Sequence, residues 1–348
     1  MTFLERIYRS NILIKLRHWE YWPFGIIQAP FFIYWLWLSL KARSFFFFSA
    51  SNPSIFSGGM MGESKFEVLN LVPDGYKPKA TLIKVPTDHN SILKSMKDFG
   101  MNYPVIFKPD LGERGWMVRK IHNADEASRY LTEIKTDFIV QEFLDLPLEF
   151  GVFYVRKPSH QTGRIISVNS KEMLIVTGNG KESLHELVFK NDRAKLQTNR
   201  LSKIFQADWN RIITDGELFE LNTIGNHCLG TKFLNGNHLV TARMNESFDT
   251  LSKRIPGFYF GRFDLRCSTL EDLENGKVMI MELNGCGSEP AHIYQPGSSL
   301  WNAMKVLYQH WKIMYEISTE NHKRGTPYLS FSEARTNYKR VRSILGKS

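Results

Sequence analysis

GRFDLR at Gly261–Arg266 and MELNGCG at Met281–Gly287 are the two stretches on which the fold prediction rests. Each belongs to a longer apolar run, FYFGRFDLRC and KVMIMELNG, with the composition of a β-strand. The stretch STLEDLEN between them is typical of a short helix. Two strands joined by so short a connection are expected to lie side by side.

Polar side chains at the ends of these two strands predict a metal site. Residues two apart in a strand point to the same face, so Glu282 and Asn284 point together and Arg262 shares a face with Asp264. The oxygen atoms of Asp264, Glu282 and Asn284 are the hard ligands that Mg²⁺ prefers. Arg262 could hold a transferring phosphate or a developing oxyanion. Solvated strand ends are the alternative interpretation.

The chain from Pro86 onward alternates strand-like and helix-like segments without internal repeats. A helix is predicted to start at Pro86-Thr87-Asp88 and to end at Gly100, and Asn123 is predicted to cap a second helix. A hairpin is predicted around Thr214-Asp215-Gly216. The order of these segments predicts an α+β fold.

Two lysines interrupt apolar strands upstream of the acidic residues. Lys108 lies in VIFKPD and Lys171 in VNSKEM. Burying a lysine is costly unless its charge meets an anion, so two such lysines suit the phosphates of ATP. Gly112 and Gly115 of LGERG allow backbone amides to approach a phosphate closely. Lys108 could instead be an edge residue whose ammonium reaches water.

The segment VQEFLDLPLE has the features of a nucleotide-binding linker. Backbone groups near Phe143 and Asp145 could contact the adenine edge, and Glu142 and Glu149 lie on either side of them. Glu149 could accept hydrogen bonds from the ribose hydroxyls. On sequence alone, a surface charge is the more common interpretation of either glutamate.

The order of these signals along the chain resembles the ATP-grasp superfamily. Within it, D-alanine–D-alanine ligase has a G-R-[hydrophobic]-D and E-[hydrophobic]-N pair that looks like Gly261–Asp264 and Glu282–Asn284. The stretch Val176–Val188 is similar to one in cyanophycin synthetase and related amino-acid ligases. The resemblance covers roughly residues 80 to 315 and implies an ATP-grasp fold, in which two α+β subdomains clasp ATP.

The resemblance also implies an ADP-forming carboxylate–amine ligase that uses ATP and Mg²⁺. The substrate carboxylate would attack the γ-phosphate, and an amine would then displace phosphate from the acyl phosphate. An ATP-grasp kinase and a non-catalytic nucleotide-binding protein are the alternatives. The implied roles are phosphate binding by Lys108, Lys171, Gly112 and Gly115, adenine binding by Glu142, Phe143 and Asp145, ribose binding by Glu149, magnesium binding by Asp264, Glu282 and Asn284, and catalysis by Arg262 and Lys171.

The sequence departs from D-alanine–D-alanine ligases in two places. The region before Pro86 is short and aromatic, which puts D-alanine as a substrate in doubt. The second strand acid is followed by GCGSEP rather than a proline-glycine turn, which changes the floor of the second-substrate site. Asn226, His227 and Ser288 are candidate substrate contacts, and a packed loop is the alternative for His227.

An uncharged aromatic segment near the N-terminus predicts a membrane surface as a partner. Residues 21–40 read YWPFGIIQAPFFIYWLWLSL, and a further apolar run ends at residue 48. An interfacial or re-entrant anchor, a transmembrane span and a helical pair packed on the protein are the three interpretations. The following stretch FSGGMMGESK, residues 56–65, lacks phosphate-loop spacing and is predicted to be a flexible connection.

Composition limits the remaining classes. The 348 residues include 45 Lys and Arg against 35 Asp and Glu, a formal net charge of +10. No stretch interleaves basic and aromatic residues as a nucleic-acid groove would, so nucleic acid is not a predicted partner. Three cysteines without a repeating framework indicate a reducing compartment. A cytoplasmic location follows, at the inner face of a membrane if the aromatic segment binds one. The predicted domains are 1–65, 66–103, 104–317 (subdomains 104–145 and 146–317) and 318–348, and no oligomeric state is indicated.

Overall fold

The structure, a computed structural model, describes residues 10–112, 115–222, 225 and 230–346. Helices and antiparallel strands alternate along the chain, which confirms the predicted α+β class. The helices are α1 (Asn11–Arg17), α2 (Phe24–Ala42), α3 (Lys65–Asn70), α4 (His89–Asp98), α5 (Ala124–Glu133), α6 (Leu184–Lys190), α7 (Asp192–Lys195), α8 (Thr198–Ile204), α9 (Ala242–Lys253), α10 (Leu270–Glu274), α11 (Leu300–Lys323) and α12 (Phe331–Leu345). The strands are β1 (Ala80–Ile83), β2 (Val105–Pro109), β3 (Arg119–Ile121), β4 (Phe138–Glu142), β5 (Leu148–Val155), β6 (Arg164–Glu172), β7 (Ile175–Thr177), β8 (Leu218–Glu220), β9 (Lys232–Asn235), β10 (Phe260–Cys267) and β11 (Met279–Asn284).

The chain divides into two compact units. The major unit contains Phe31–Ser170, Asn235–His292 and Met304–Ser348. The minor unit contains Met1–Pro30, Lys171–Leu234 and Ile293–Ala303. The domain boundaries expected from the sequence stay a prediction.

The first sheet of the major unit has the antiparallel order β1–β4–β2–β3. Helices α4 and α5 begin at the expected caps, because Asp88 accepts a hydrogen bond from the Ser91 amide at 2.7 Å and Asn123 from the Glu126 amide at 3.0 Å. The core beneath this sheet includes Phe107, Tyr130 and Phe138 from β2, α5 and β4. Both helix predictions are confirmed.

The second sheet of the major unit runs in the order β11–β10–β5–β6. Every pairing in it is antiparallel. One face packs on α9 through Val152, Phe248 and Phe263, all fully buried. This packing leaves the opposite face of β10 and β11 for polar side chains.

The pairing of β7 with β8 belongs to the minor unit and corrects one prediction. Ile175 is paired with Glu220, and Thr177 with Leu218. Among the described residues, those before the turn at Thr214–Gly216 form a single bridge, from Ile212 to Ser183. The predicted hairpin is therefore wrong, because ELFEL finds its partner in β7 rather than in the apolar stretch that precedes the turn.

Residues 56–65 are fixed rather than flexible, which corrects a second prediction. The Cys286 amide donates to the Gly58 carbonyl at 3.0 Å, and the Gly287 amide to the Gly59 carbonyl at 2.8 Å. Gly59 has a φ of +81°, and a Cβ there would lie 2.6 Å from the Gly285 Cα. Glycine is required by this close approach of two backbones. The glycine-rich stretch is thus packed against the turn that follows β11.

The aromatic segment forms α2, a helix that is apolar on every side. In the part of α2 that belongs to the major unit, Phe31 and Leu38 are buried, whereas Phe32, Ile33 and Leu40 are more than half exposed. Among the helices that the structure describes, none is both long and apolar enough to cross a bilayer.

Candidate active site

The two strands that carry the predicted metal ligands pair as expected. Asp264 on β10 lies directly opposite Glu282 on β11, and Arg262 lies opposite Asn284. The register shifts between Asp264 and Leu265, so a bulge follows the acidic residue. All four polar residues consequently share one face at one end of the sheet.

Arg262 and Asp264 form a two-pronged ion pair. The Arg262 Nε donates to Asp264 Oδ1 at 2.9 Å and its Nη2 to Oδ2 at 3.1 Å. Its third donor, Nη1, reaches the Glu289 carbonyl at 3.2 Å, and Asn284 Nδ2 donates to Asp264 Oδ2 at 3.2 Å. Burial acts to lower the pKa of Arg262, but the Asp264 carboxylate outweighs it and leaves that pKa raised. Asp264 is held in one orientation by these contacts.

Glu282 is paired with Lys65, a residue that the sequence did not single out. Lys65 Nζ contacts Glu282 Oε1 in a close ion pair. Burial opposes ionisation of Glu282, but the positive charges of Lys65 and Lys108 outweigh it and lower the pKa of Glu282 to about 2. Burial likewise acts against the charged form of Lys65, and Glu282 reverses the effect so that the pKa of Lys65 is raised. Both groups are therefore charged at neutral pH.

The start of α3 is anchored at the end of β2, and this places Lys65. Asp110 Oδ1 accepts hydrogen bonds from Ser64 Oγ at 2.8 Å and from the Phe66 amide at 2.9 Å. The Lys65 amide donates to the Asp110 carbonyl at 3.2 Å. The Ser64-x-x-Glu67 pattern is a local signal for a helix start, and the Glu67 amide does donate to Ser64 Oγ. No local signal indicates that Lys65 meets a carboxylate 217 residues away.

Lys108 occupies the buried strand position that was predicted, not a solvated edge. Its side chain, almost fully buried on β2, reaches the second sheet, where Nζ donates to the Met281 carbonyl at 3.1 Å. Burial lowers the pKa of Lys108 to about 8, although the charge of Glu282 opposes this shift. Lys108 thus brings a cation beside Glu282 from the first sheet.

A second arginine of the GRFDLR stretch organises the predicted adenine linker. Arg266 Nε and Nη2 both donate to Glu149 Oε2, at 3.1 and 2.9 Å. Its Nη1 donates to the carbonyl groups of Leu144 and Leu146, at 3.0 and 3.3 Å. Arg266 therefore holds the linker and the predicted ribose ligand together. Sequence reasoning missed this role, although Arg266 lies two residues after Asp264 and four after Arg262.

The other linker residues lie beside this arginine. The ring centroid of Phe143 is 3.6 Å from Lys120 Nζ and 6.0 Å from the Arg266 guanidinium. Glu142 Oε2 accepts a hydrogen bond from the Lys79 amide at 3.2 Å, and Asp145 is exposed. Phe143 thus presents an aromatic ring that lies beside two positively charged side chains. The Glu142 carboxylate links the end of β4 to the residue that precedes β1.

The predicted glycine turn and Ser288 also lie in the major unit. Gly112 has a φ of +146° and lies against Trp116, whose ring would be 3.2 Å from a Cβ at position 112. Gly115 has a φ of +73°. Ser288 Oγ donates to the Gly285 carbonyl at 2.6 Å, so its hydroxyl hydrogen is used within the turn after β11.

Three predicted residues lie outside the described part of the major unit. Lys171 is assigned to the minor unit, where its Nζ is 6.0 Å from the Phe233 ring centroid. Asn226 and His227 lie outside the described residues. Their predicted roles stay predictions.

Asn169 is a further residue that the sequence did not reveal. Strand register aligns Asn169, Gly151, Asp264 and Glu282 in one row across β6, β5, β10 and β11. Within the described part of the chain the Asn169 amide is buried without a hydrogen-bond partner, and its Oδ1 would be 2.4 Å from a Cβ at position 151. The lack of a side chain at Gly151 makes room for that amide beside the Arg262 side chain.

The donor set fits a hard cation. Among the residues that the structure describes, no three His, Cys, Asp or Glu side chains are grouped closely enough to hold a metal ion. The predicted set has two carboxylates and one amide, which together with water and phosphate oxygens suffice for Mg²⁺. Asp264 and Glu282 lie opposite each other on neighbouring strands, so this set of ligands fits Mg²⁺. Lys65 contacts one of the oxygens of this set, Glu282 Oε1.

No protein-family model and no curated protein matches the chain. Among solved structures, the chain is similar to the VanG D-Ala:D-Ser ligase from Enterococcus faecalis, with 15% identity and a TM-score of 0.42 over 75% of this chain and 61% of that chain. It is also similar to a D-alanine–D-alanine ligase from Bacillus anthracis, with 12% identity and a TM-score of 0.40 over 77% and 70% of the two chains. A bifunctional glutathione synthetase from Pasteurella multocida aligns at 16% identity and a TM-score of 0.37 over 74% and 38%. The chain spans less than two thirds of the length of the VanG ligase.

Proposed function

We propose that the chain has an ATP-grasp fold and is an ADP-forming carboxylate–amine ligase. One observation carries the proposal. Lys108 on the first sheet reaches the end of β11 in the second sheet, where Arg262, Asp264, Glu282 and Asn284 meet. A solvated surface does not require such a partly buried set of alternating charges, whereas phosphoryl transfer does.

The chain's own residues divide the work of the reaction. Lys108 would bind the phosphates of ATP, and Arg262 would stabilise the acyl phosphate and the tetrahedral intermediate. An oxygen of the substrate carboxylate forms a bond to the γ-phosphorus as ADP leaves. The amine nitrogen then bonds to the carbonyl carbon, phosphate leaves and the amine loses a proton. Mg²⁺, when bound by Asp264, Glu282 and Asn284, would neutralise charge on the transferring phosphate.

The nucleoside would lie along the linker between β4 and β5. Phe143 offers an aromatic face to adenine, and the backbone of the linker offers donors and acceptors to its edge. Glu149 would accept hydrogen bonds from the ribose hydroxyls. Because Arg266 binds Oε2 from two directions, Glu149 is oriented before the nucleotide arrives.

The test is a product analysis. The purified protein would be incubated with Mg-ATP and pools of amino acids, dipeptides and fatty acids, with ADP, AMP and free phosphate measured. ADP and phosphate that require both an acid and an amine, and that disappear in Glu282→Ala, are the expected result. AMP with pyrophosphate would contradict the acyl-phosphate mechanism, and a phosphorylated product that accumulates would identify a kinase.

We further propose that the major-unit part of α2 contacts an anionic membrane surface from the cytoplasmic side. A helix that is apolar on its exposed side and on its buried side needs a second apolar environment. Phe331, at the start of α12, lies 5.7 Å from Phe45 and 5.1 Å from Phe46 between ring centroids and is itself two-thirds exposed. It thereby brings α12 beside the segment that follows α2.

Charge favours anionic lipid over a second copy of this chain. Arg335, Tyr338 and Arg342 follow Phe331 at helical spacing, and all three are exposed. Aromatic rings and arginines on one face suit the headgroup region of an anionic bilayer. The described part of this surface carries one acid, Glu333, which caps α12.

Vesicle flotation tests the membrane proposal. The protein should float with vesicles that contain one-quarter anionic phospholipid and less with neutral ones, and Ile33→Gln with Leu40→Gln should abolish flotation. Leu270→Gln, which changes a half-exposed leucine on α10, is the control. Unchanged flotation of the double variant would contradict the proposal, as would a dimer in sedimentation that the same variant dissociates.

A further inference from the structure

Asn169 on β6 carries a buried amide that the proposed reaction does not yet use. The residue is 1% exposed, and within the described part of the chain neither Oδ1 nor Nδ2 has a hydrogen-bond partner. Ser167, two residues earlier on the same face, is equally buried but shares a hydrogen bond at 2.7 Å with His292 Nδ1. An unpaired buried donor and acceptor are costly, so an amide of this kind indicates a place where a ligand binds.

The amide of Asn169 extends across β5 toward the proposed catalytic strand β10. Gly151 lies between Asn169 and Asp264 in the strand register. A Cβ at position 151 would be 2.4 Å from Asn169 Oδ1 and 3.2 Å from the Arg262 Cδ. The amide therefore ends beside the side chain of Arg262, which is itself one-fifth exposed. The floor of the site thus continues past the proposed metal ligands to β6.

We propose that Asn169 binds the amine substrate of the ligase, and that this substrate is an amino acid or a peptide. The inference rests on the proposed function, which assigns the acyl group that the amine attacks to Arg262. Oδ1 would accept a hydrogen bond from the amine, and Nδ2 would donate to a carbonyl or carboxylate oxygen of the same substrate. A simple alkylamine pairs with Oδ1 alone and a fatty acid with Nδ2 alone, so neither satisfies the whole amide.

Stability separates an asparagine that binds a ligand from one that holds the fold. Asn169→Leu keeps the branched shape and removes both unpaired atoms, so its midpoint in urea should equal or exceed that of the wild type. Asn169→Ala adds no volume and shows whether leucine is too large for the site. A midpoint below that of the wild type for both variants would overturn the proposal, because the amide would then be part of the structure.

Asn52→Leu is the matched control for this measurement. Asn52 is also fully buried in the major unit, but its Nδ2 donates to the carbonyl groups of Gly58 and Phe260, and its Oδ1 accepts from the Phe260 amide. Its replacement leaves those backbone groups unpaired and should lower the urea midpoint clearly.

Two small probes test the substrate class without turnover. Glycinamide has an amine one carbon away from a carbonyl group, and ethylamine has the same amine without the carbonyl. With Mg²⁺ and a non-hydrolysable ATP analogue present, calorimetry should show that the full chain binds glycinamide about tenfold more tightly than ethylamine. The preference should disappear in Asn169→Leu. No binding of glycinamide to the wild type, or the same preference in the variant, would overturn the proposal.

Failure of this inference is distinguishable from failure of the proposed function. A wild type that prefers glycinamide through Asn169 but forms no ADP with any acid and amine would refute the ligase and retain the binding site. A wild type that forms ADP and phosphate from an acid and an amine, with an unchanged KM for the amine in Asn169→Leu, would refute the role of Asn169 alone.

Discussion

Two glutamates of the same sheet, Glu149 on β5 and Glu282 on β11, each pair with a cation, but the two pairs differ in enclosure and in partner. The Glu149 side chain is 8% exposed and Arg266 binds it with two nitrogens. The Glu282 side chain is 31% exposed and Lys65 binds it with one ammonium. An arginine fork fixes a planar geometry, whereas an ammonium is a point charge that accommodates other ligands. Under the proposed function, the Glu149 pair would therefore position the nucleotide, and the Glu282 pair would exchange its lysine contact for other ligands.

Of the two glutamate pairs, the Glu282 pair should give the largest loss of activity when its carboxylate is removed in Glu282→Ala. Removing the carboxylate takes away one of the two proposed acidic metal ligands and the negative charge that acts most strongly on Lys65 and Lys108. We expect at least a roughly thousandfold loss of ADP formation, equivalent to about 4 kcal/mol of transition-state stabilisation. ADP release under saturating Mg-ATP is the measurement. Glu271→Ala on α10, an exposed acid, is the control, and retention of activity in Glu282→Ala would refute the assignment of the metal site.

The Glu149 pair is broken by Arg266→Met. The change leaves Glu149 as a buried charge without this partner and removes the donor to the Leu144 and Leu146 carbonyls. The free energy of unfolding should fall by about 3 kcal/mol, because a buried ion pair loses one member. Urea denaturation measures the loss, and Arg266→Lys should recover only part of it. A loss as small as that of a surface pair would show that Glu149 is not held as described.

The pH dependence of ATP affinity separates Lys108 from the other cations. Its pKa of about 8 means that its charge is lost as pH rises through 8, whereas Arg262, with a raised pKa, stays charged. ATP affinity should therefore decline above pH 8, by up to about tenfold for each pH unit. Lys108→Arg should remove the decline. Calorimetric titration at pH 7 and pH 9 measures both, and an equal decline in Lys108→Arg would assign it to another group.

The lowered pKa of Lys108 has the opposite effect on the free energy of unfolding, which should increase as pH rises. The folded-state pKa of Lys108 lies below its unfolded value, so between about pH 8 and 10.5 the unfolded chain binds more protons at this residue. The cost of burying the charge therefore shrinks as pH rises through this window. Comparison of Lys108→Met with the wild type at the two ends of the window isolates that contribution.

The smallest effect is expected from Lys120→Met at the adenine end. Lys120 Nζ lies 3.6 Å from the Phe143 ring centroid, a cation–π contact worth about 0.5–1 kcal/mol. ATP affinity should change by less than about tenfold. This effect is smaller than the roughly thousandfold loss of ADP formation that is expected for Glu282→Ala. Equilibrium binding of a fluorescent ATP analogue measures it. A loss as large as that of Glu282→Ala would show that Lys120 binds phosphate rather than supporting Phe143.

Local pattern predicted the elements around the site well. The caps at Asp88 and Asn123, the buried strand at Lys108 and the neighbouring strands at Asp264 and Glu282 depend on residues close together in sequence. The hairpin at Thr214–Gly216 failed because strand pairing is a choice among distant partners, and β7 offered a better one. The prediction that residues 56–65 form a flexible connection was wrong because their backbone is hydrogen-bonded to the turn at Gly285–Gly287, which is distant in sequence.

The sequence was sufficient to place Arg262 beside Asp264 and Glu282 beside Asn284, because strand geometry alternates side chains every two residues. Only the tertiary structure decided which cation each acid meets. Lys65 with Glu282 and Arg266 with Glu149 are separated by 217 and 117 residues, and no spacing rule spans such distances. The same holds for α2, whose composition is mostly apolar and includes one charged residue, Lys41. Which side of that helix is exposed depends on what packs against it, and packing is a property of the folded chain.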